Sequence, residues 1–190
     1  MTDLLDVVGA VTTAFDQCGI PYTIGGSLAS SFSGEPRTSV DADIVVDLSP
    51  TQVGPLLAAL GPEFYADADA LGRAVRTKRN ANVIHRPSGV KVDLFVAGSR
   101  LELRQLQRRR LVRVGDPERS FYMHSPEDIL LQKLHWFRLG GGVSDRQWRD
   151  AVSIVVVQGP RLDRAYLAAT ATTEGLTDLL GRAYEDAAPS

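Results

Sequence analysis

The sequence predicts an α/β (α+β) chain in which strands and helices alternate over residues 1–124 and helices alone follow over 125–190. Two observations carry this. Short runs rich in β-branched residues, bounded by Gly, Pro or Ser, recur at 22–24, 42–48, 82–86 and 90–96. From Ser125 onward apolar residues recur at helical spacing behind successive capping signals.

At 190 residues the chain fits one compact domain, or a domain with a small appendage. Its 44% hydrophobic and 23% charged residues are ordinary for a globular protein. No apolar run approaches the roughly 20 residues that span a bilayer, so no membrane partner is expected. Asp3 and Asp6 stand where a signal peptide would be basic. Cys18 is the single cysteine, which rules out an intrachain disulfide and a cysteine-based zinc site and points to a cytoplasmic setting. Charge is unevenly spread. Residues 1–70 carry one Arg against ten acids, residues 71–113 carry twelve Arg and Lys against two acids, and residues 114–190 carry eight against eleven. The basic 71–113 segment suits a polyanion such as a triphosphate or RNA, or it is a solvated basic face.

In order, residues 2–18 read as an amphipathic helix with Leu4, Val8, Val11, Phe15 and Cys18 on one face, stopped by Gly19 and Pro21. Tyr22–Ile24 is a strand, Gly25-Gly26-Ser27 a turn, and Leu28–Phe32 a short helix. The next strand is 42–48, and Ser49-Pro50-Thr51-Gln52 is a capping box that opens a helix ending near Gly61. Residues 63–79 read as a polar region or a short helix. Residues 82–86 and 90–96 form a hairpin about Pro87-Ser88-Gly89. Ser99 and Glu102 box a helix running to about Arg110, and two short strands flank a turn at Gly115-Asp116-Pro117. Ser125-Pro126-Glu127-Asp128 starts the helical part, Gly140-Gly141-Gly142 makes a joint, Ser144 caps a helix over 145–157, and two more helices lie within 161–187.

Several side chains call for chemistry. Asp41 and Asp43 alternate and so share one face of their strand. Like charges so placed call for a cation between them, and a hydrated Mg²⁺ carrying a phosphate answers. Gly25 and Gly26 allow a ligand close to the backbone, and Ser27 either donates to a phosphate oxygen or caps the helix. Asp93 sits in an otherwise apolar strand, as a third carboxylate or as half of an ion pair. On a helical wheel Lys133 falls inside the apolar stripe of Ile129, Leu130, Leu134 and Phe137, where it must snorkel, pair or meet an anion. Asp47 reads as a cap or solvated acid. Pairing is the default for Arg149 and Asp150. His85, His124 and His135 show no ligand spacing.

The pattern Ile24-Gly25-Gly26-Ser27, then Asp41-Ala42-Asp43-Ile44, then Asp93, resembles the polymerase-beta-like nucleotidyltransferase superfamily. Gly34–Asp43, Lys91–Leu94, Ser125–Leu134 and Asp145–Asp150 are similar to a prokaryotic branch related to AbiE-type abortive-infection toxins. The resemblance covers roughly residues 5–185. It implies a nucleotidyltransferase fold, with a mixed sheet flanked by helices as catalytic core (1–124) and a helical C-terminal subdomain (125–190). It implies two Mg²⁺ ions, replaceable by Mn²⁺, on Asp41, Asp43 and Asp93. It implies a nucleoside triphosphate, such as ATP, held by Gly25, Gly26 and Ser27, with Lys133 on its phosphates and Asp150 near the site. The reaction implied is transfer of a nucleoside monophosphate to an acceptor hydroxyl with release of pyrophosphate, the metals about 3.5–4 Å apart. The acceptor stays open among RNA (a tRNA 3′ end, by way of the basic segment), a small molecule of antibiotic type, and a protein. Toxins of this kind are usually longer, and a cognate antitoxin is the partner they imply. The alternative of another class is a non-catalytic module that binds a nucleotide or a partner.

Overall fold

The computed structural model describes residues 4–36, 38–115 and 118–188. In chain order the elements are α1 (Leu4–Gln17), β1 (Tyr22–Ile24), α2 (Gly26–Ser33), β2 (Asp41–Val46), α3 (Val53–Leu60), β3 (Phe64–Tyr65), α4 (Ala68–Thr77), β4 (Asn80–His85) and β5 (Lys91–Val96). There follow α5 (Arg100–Gln107), β6 (Arg110–Val114), β7 (Arg119–Met123), α6 (Pro126–Leu139), α7 (Asp145–Gln158), α8 (Arg164–Glu174) and α9 (Thr177–Asp186). They form two compact units, one of residues 4–25 and 38–123, the other of 26–36 and 124–188. Among the described residues no helix is long and apolar enough to cross a membrane.

The first unit is a seven-stranded sheet in the order β3-β4-β5-β2-β1-β7-β6. It is mixed: β2 with β5 and β1 with β7 run parallel, and the other pairs antiparallel. Alternation fixes which face is covered. In β4 and β5, Ala81, Val83, Val92, Leu94 and Val96 are buried while Asn80 and Asn82 are exposed, so α4 packs on the apolar side. On the same side the α1 residue Phe15 meets Tyr22, with ring centroids 5.5 Å apart. The opposite face is covered by α5, whose Leu106 clusters with Val45, Ala97 and Phe95. That cluster occupies the C-terminal ends of β2 and β5 and leaves their N-terminal ends to polar residues.

The second unit is helical. Here α6 packs on α2, α7 and α8, and α9 packs on α7 and α8. Its core holds Ile129, Leu130, Leu131, Leu134, Phe137, Ala151, Ile154, Leu167, Leu176 and Leu180. Start signals act as expected: the Ser125 hydroxyl accepts from the Asp128 N–H at 3.2 Å and the Ser144 hydroxyl from the Gln147 N–H at 3.4 Å.

Some expectations change. The capping box at Ser49 is made, with the Ser49 N–H donating to Gln52 Oε1 at 3.0 Å, but it opens a single 3₁₀ turn, Pro50–Gln52, before α3. Residues 63–79 hold both β3 and a helix, α4, capped by Asp67. The helix expected to reach Arg110 ends at Gln107, because Arg110 is the first residue of β6 and pairs with Met123. The expected turn at Gly115-Asp116-Pro117 lies outside the described residues at Asp116 and Pro117, as do Thr2 and Asp3 of the first helix and Arg37 of the run before β2.

Candidate active site

The carboxylates stand on the half-open face of the first unit. The parallel register sets Asp41 opposite Lys91 and Asp43 opposite Asp93. Strand alternation turns all four side chains to one face, so two adjacent strands present three carboxylates and one ammonium as a two-by-two array. The Lys91 Nζ lies 2.7 Å from Asp93 Oδ2. The bond from Asp93 holds the Lys91 pKa above its ordinary value, and the charges of Asp93, Asp41 and Asp43 add to it. The Ser39 hydroxyl donates to the Asp41 carbonyl oxygen at 2.9 Å, with Asp41 Oδ1 at 3.4 Å. Across the other edge of β5, Asn82 is the register partner of Asp93. Beside β2, the Gly25 N–H donates to the Asp43 carbonyl oxygen at 2.8 Å, which fixes where the glycine turn leaves the sheet.

Hard oxygen donors on one face suit Mg²⁺ or Mn²⁺, and the backbone places all three carboxylates for that. As the side chains stand, no three His, Cys, Asp or Glu residues among those described are gathered closely enough to hold a metal ion. The cation drawn to Asp93 is Lys91.

The remaining expected site residues belong to the second unit. Gly26 takes a φ of +58°, a left-handed conformation in which a side chain would be strained. Its N–H donates to Gln132 Oε1 at 3.0 Å, and Gln132 Nε2 lies 3.5 Å from His124 Nε2. The Ser27 carbonyl accepts from the hydroxyls of Ser30 and Ser31 at 2.9 and 3.0 Å. Lys133 is 2% exposed, and its Nζ lies 2.8 Å from Asp150 Oδ2, with Ser30 Oγ 3.5 Å from the same oxygen. Of the three outcomes open to a lysine in an apolar stripe, the structure contains pairing. Arg149 is exposed, and Asp150 is buried.

Two further buried acids, Glu127 and Asp128, occupy α6. Asp128 accepts from the Ser125 hydroxyl at 2.8 Å and from the Tyr166 hydroxyl at 2.6 Å, while Glu127 accepts from the Asp163 N–H at 3.1 Å. These bonds tie α6 to the start of α8. Sequence reasoning assigns no role to Gln132 or Ser30 and reads Tyr166 as core, without its bond to Asp128. Their partners lie on other elements, and no local spacing announces them. Burial pushes the His124 pKa down to about 3, leaving the ring neutral. His85 bonds Ser88 Oγ at 2.7 Å, and Asp47 is exposed.

No family model matches the sequence, and no curated protein matches it. Solved structures do. An antigenic nucleotidyltransferase-like protein from Paracoccidioides brasiliensis superposes with a TM-score of 0.55 at 19% identity, over 94% of this chain and 91% of that one. The antibiotic-resistance factor ANT(2'')-Ia gives 0.55 at 13% identity, over 93% and 95%. The lincosamide antibiotic adenylyltransferase LnuA, bound to lincomycin, gives 0.52 at 15% identity, over 83% and 99%. At these identities the likeness shows the fold. It is the nucleotidyltransferase fold, the α/β class that the sequence predicts.

Proposed function

We propose that this chain is a Mg²⁺-dependent nucleotidyltransferase that moves a nucleoside monophosphate from a nucleoside triphosphate to an acceptor hydroxyl and releases pyrophosphate. The observation that carries the reading is the in-register pair Asp43–Asp93 with Asp41 on the same face, in a chain with the nucleotidyltransferase fold. Asp41, Asp43 and Asp93 would hold the metal, which supplies charge neutralisation on the phosphates and a more acidic acceptor hydroxyl. Asp93 lies on the β4 side of Asp43, away from the glycine turn that follows β1. It is therefore the carboxylate we assign to orienting the acceptor hydroxyl and taking its proton. Gly25, Gly26 and Ser27 are assigned to the triphosphate. For Gly26 this requires its N–H to exchange Gln132 Oε1 for a phosphate oxygen, and for Lys133 a phosphate contact requires the Asp150 pair to open.

The test is transfer from α-labelled triphosphates, with binding followed by calorimetry. The Asp41→Asn/Asp43→Asn variant should lose transfer by at least about 100-fold, the scale of removing one preorganised electrostatic contact. It should keep its circular-dichroism spectrum. Full activity in that variant would refute the assignment. Nucleotide binding without transfer to any acceptor would favour the non-catalytic module.

For the acceptor we favour RNA, supported by the exposed cations Arg73, Arg76, Lys78, Arg79, Arg86 and Arg100. In its toxin-like form a cognate antitoxin would be the partner. A small-molecule hydroxyl is the second reading, favoured by the fold shared with ANT(2'')-Ia and LnuA, which are named for antibiotics. Labelling of total RNA with a steep salt dependence supports the first. Labelling of an aminoglycoside or lincosamide panel, insensitive to salt, supports the second.

A further inference from the structure

We propose that Lys91 is a displaceable counter-ion of the carboxylate face, and that a divalent cation enters by exchange with its ammonium. This rests on the metal placement proposed above and adds to it a residue that the placement does not use. The β2–β5 array presents three carboxylates and one ammonium on one face. The array as it stands is partly balanced from within. Lys91 Nζ is 2.7 Å from Asp93 Oδ2 and feels the charges of Asp41 and Asp43 as well.

Lys91 is built to leave. Its side chain is 44% exposed against 14% for Asp93, so the ammonium can swing into water on its flexible stem. An ion pair this open is weak, whereas a small divalent ion gains several oxygen ligands at once. No proton moves in the exchange, since the ammonium stays charged in both positions. Two consequences follow for the free protein. The face is held without a metal, and its divalent affinity is set below what three carboxylates alone would give.

The experiment is Mn²⁺ binding to the whole chain without nucleotide, by calorimetry and electron paramagnetic resonance at fixed pH and ionic strength. Lys91→Met and Lys91→Ala should each bind Mn²⁺ about fivefold tighter than the wild type, the scale of one exposed ion pair. Lys91→Arg, which keeps the charge, should not bind more tightly. Equal or weaker binding by both neutral variants would overturn the exchange. Wild-type affinity in Asp41→Asn/Asp43→Asn would instead overturn the metal placement beneath it. Because Lys91 is half exposed, thermal melts of its variants should match the wild type closely enough to compare them.

Discussion

Lys133 and Asp150 form an ion pair 2.8 Å apart in the helical unit, both side chains less than a tenth exposed. Burying either alone would be far costlier than burying both, because the partner's field replaces part of the lost hydration. Asp150→Ala should therefore destabilise the protein by about 3–5 kcal/mol, read from urea unfolding. The double change Lys133→Met/Asp150→Leu should recover most of that loss, since a matched apolar pair leaves no orphan charge. Helical spacing was enough to mark Lys133 as anomalous. It did not single out Asp150 as the partner, because that residue lies on the next helix, beyond the Gly140-Gly141-Gly142 joint. Gln132 was wholly illegible. Its bond to the Gly26 N–H spans 106 positions, and a glutamine on a half-buried helix face has no local signature. The acids Asp41, Asp43 and Asp93 were legible because strand alternation is short-range and, Lys91 apart, the rest of β2 and β5 is apolar.

The segment from α2 toward β2 shows how elements are brought close. An added Cβ on Gly34 would lie 2.4 Å from Ser153 Oγ and 3.2 Å from the Ile154 backbone nitrogen of α7. Gly34→Ala must displace the Ser153 hydroxyl and strain the close approach to α7, next to the 2.6 Å bond that Gln158 Nε2 donates to the Ser33 carbonyl. A loss of about 1–3 kcal/mol, typical of overpacking, should appear as a lowered melting temperature. Elements with strong caps were legible from sequence, since Ser99, Ser125 and Ser144 each bond the N–H three residues on. What escaped was set by tertiary pairing. β3 is two residues long and exists because Phe64 and Tyr65 add to the edge of β4. α5 yields Arg110 to β6, where the ladder with β7 outweighs a helix propensity that favours arginine.

For the molecule as a whole, acid is the natural denaturant to examine. His124 is buried and neutral, with a folded-state pKa of about 3 against an ordinary 6.5. A histidine depressed in this way contributes its full share of stability above the unfolded value. That share is lost as pH falls from about 6.5 toward about 3, because the unfolded chain binds the proton first. Between pH 7 and pH 5 the wild type should lose about 2 kcal/mol more than His124→Gln, measured by urea unfolding at the two values.

Asp43 and Asp93 face each other across a parallel strand pair, yet everything from Ile44 to Val92 separates them along the chain. Parallel partners cannot be joined by a tight turn, so the loop must close before any ladder bond offsets its entropy. Such long-range pairings form slowly and late. The complete carboxylate face therefore depends on that long-range closure. During synthesis it cannot form before β5 has emerged and found β2, after α3, β3, α4 and β4 are already made. A fragment ending before Lys91 would keep Asp41 and Asp43 as ordinary neighbouring acids, and an ion settling between the two strands would mark the completion of the sheet.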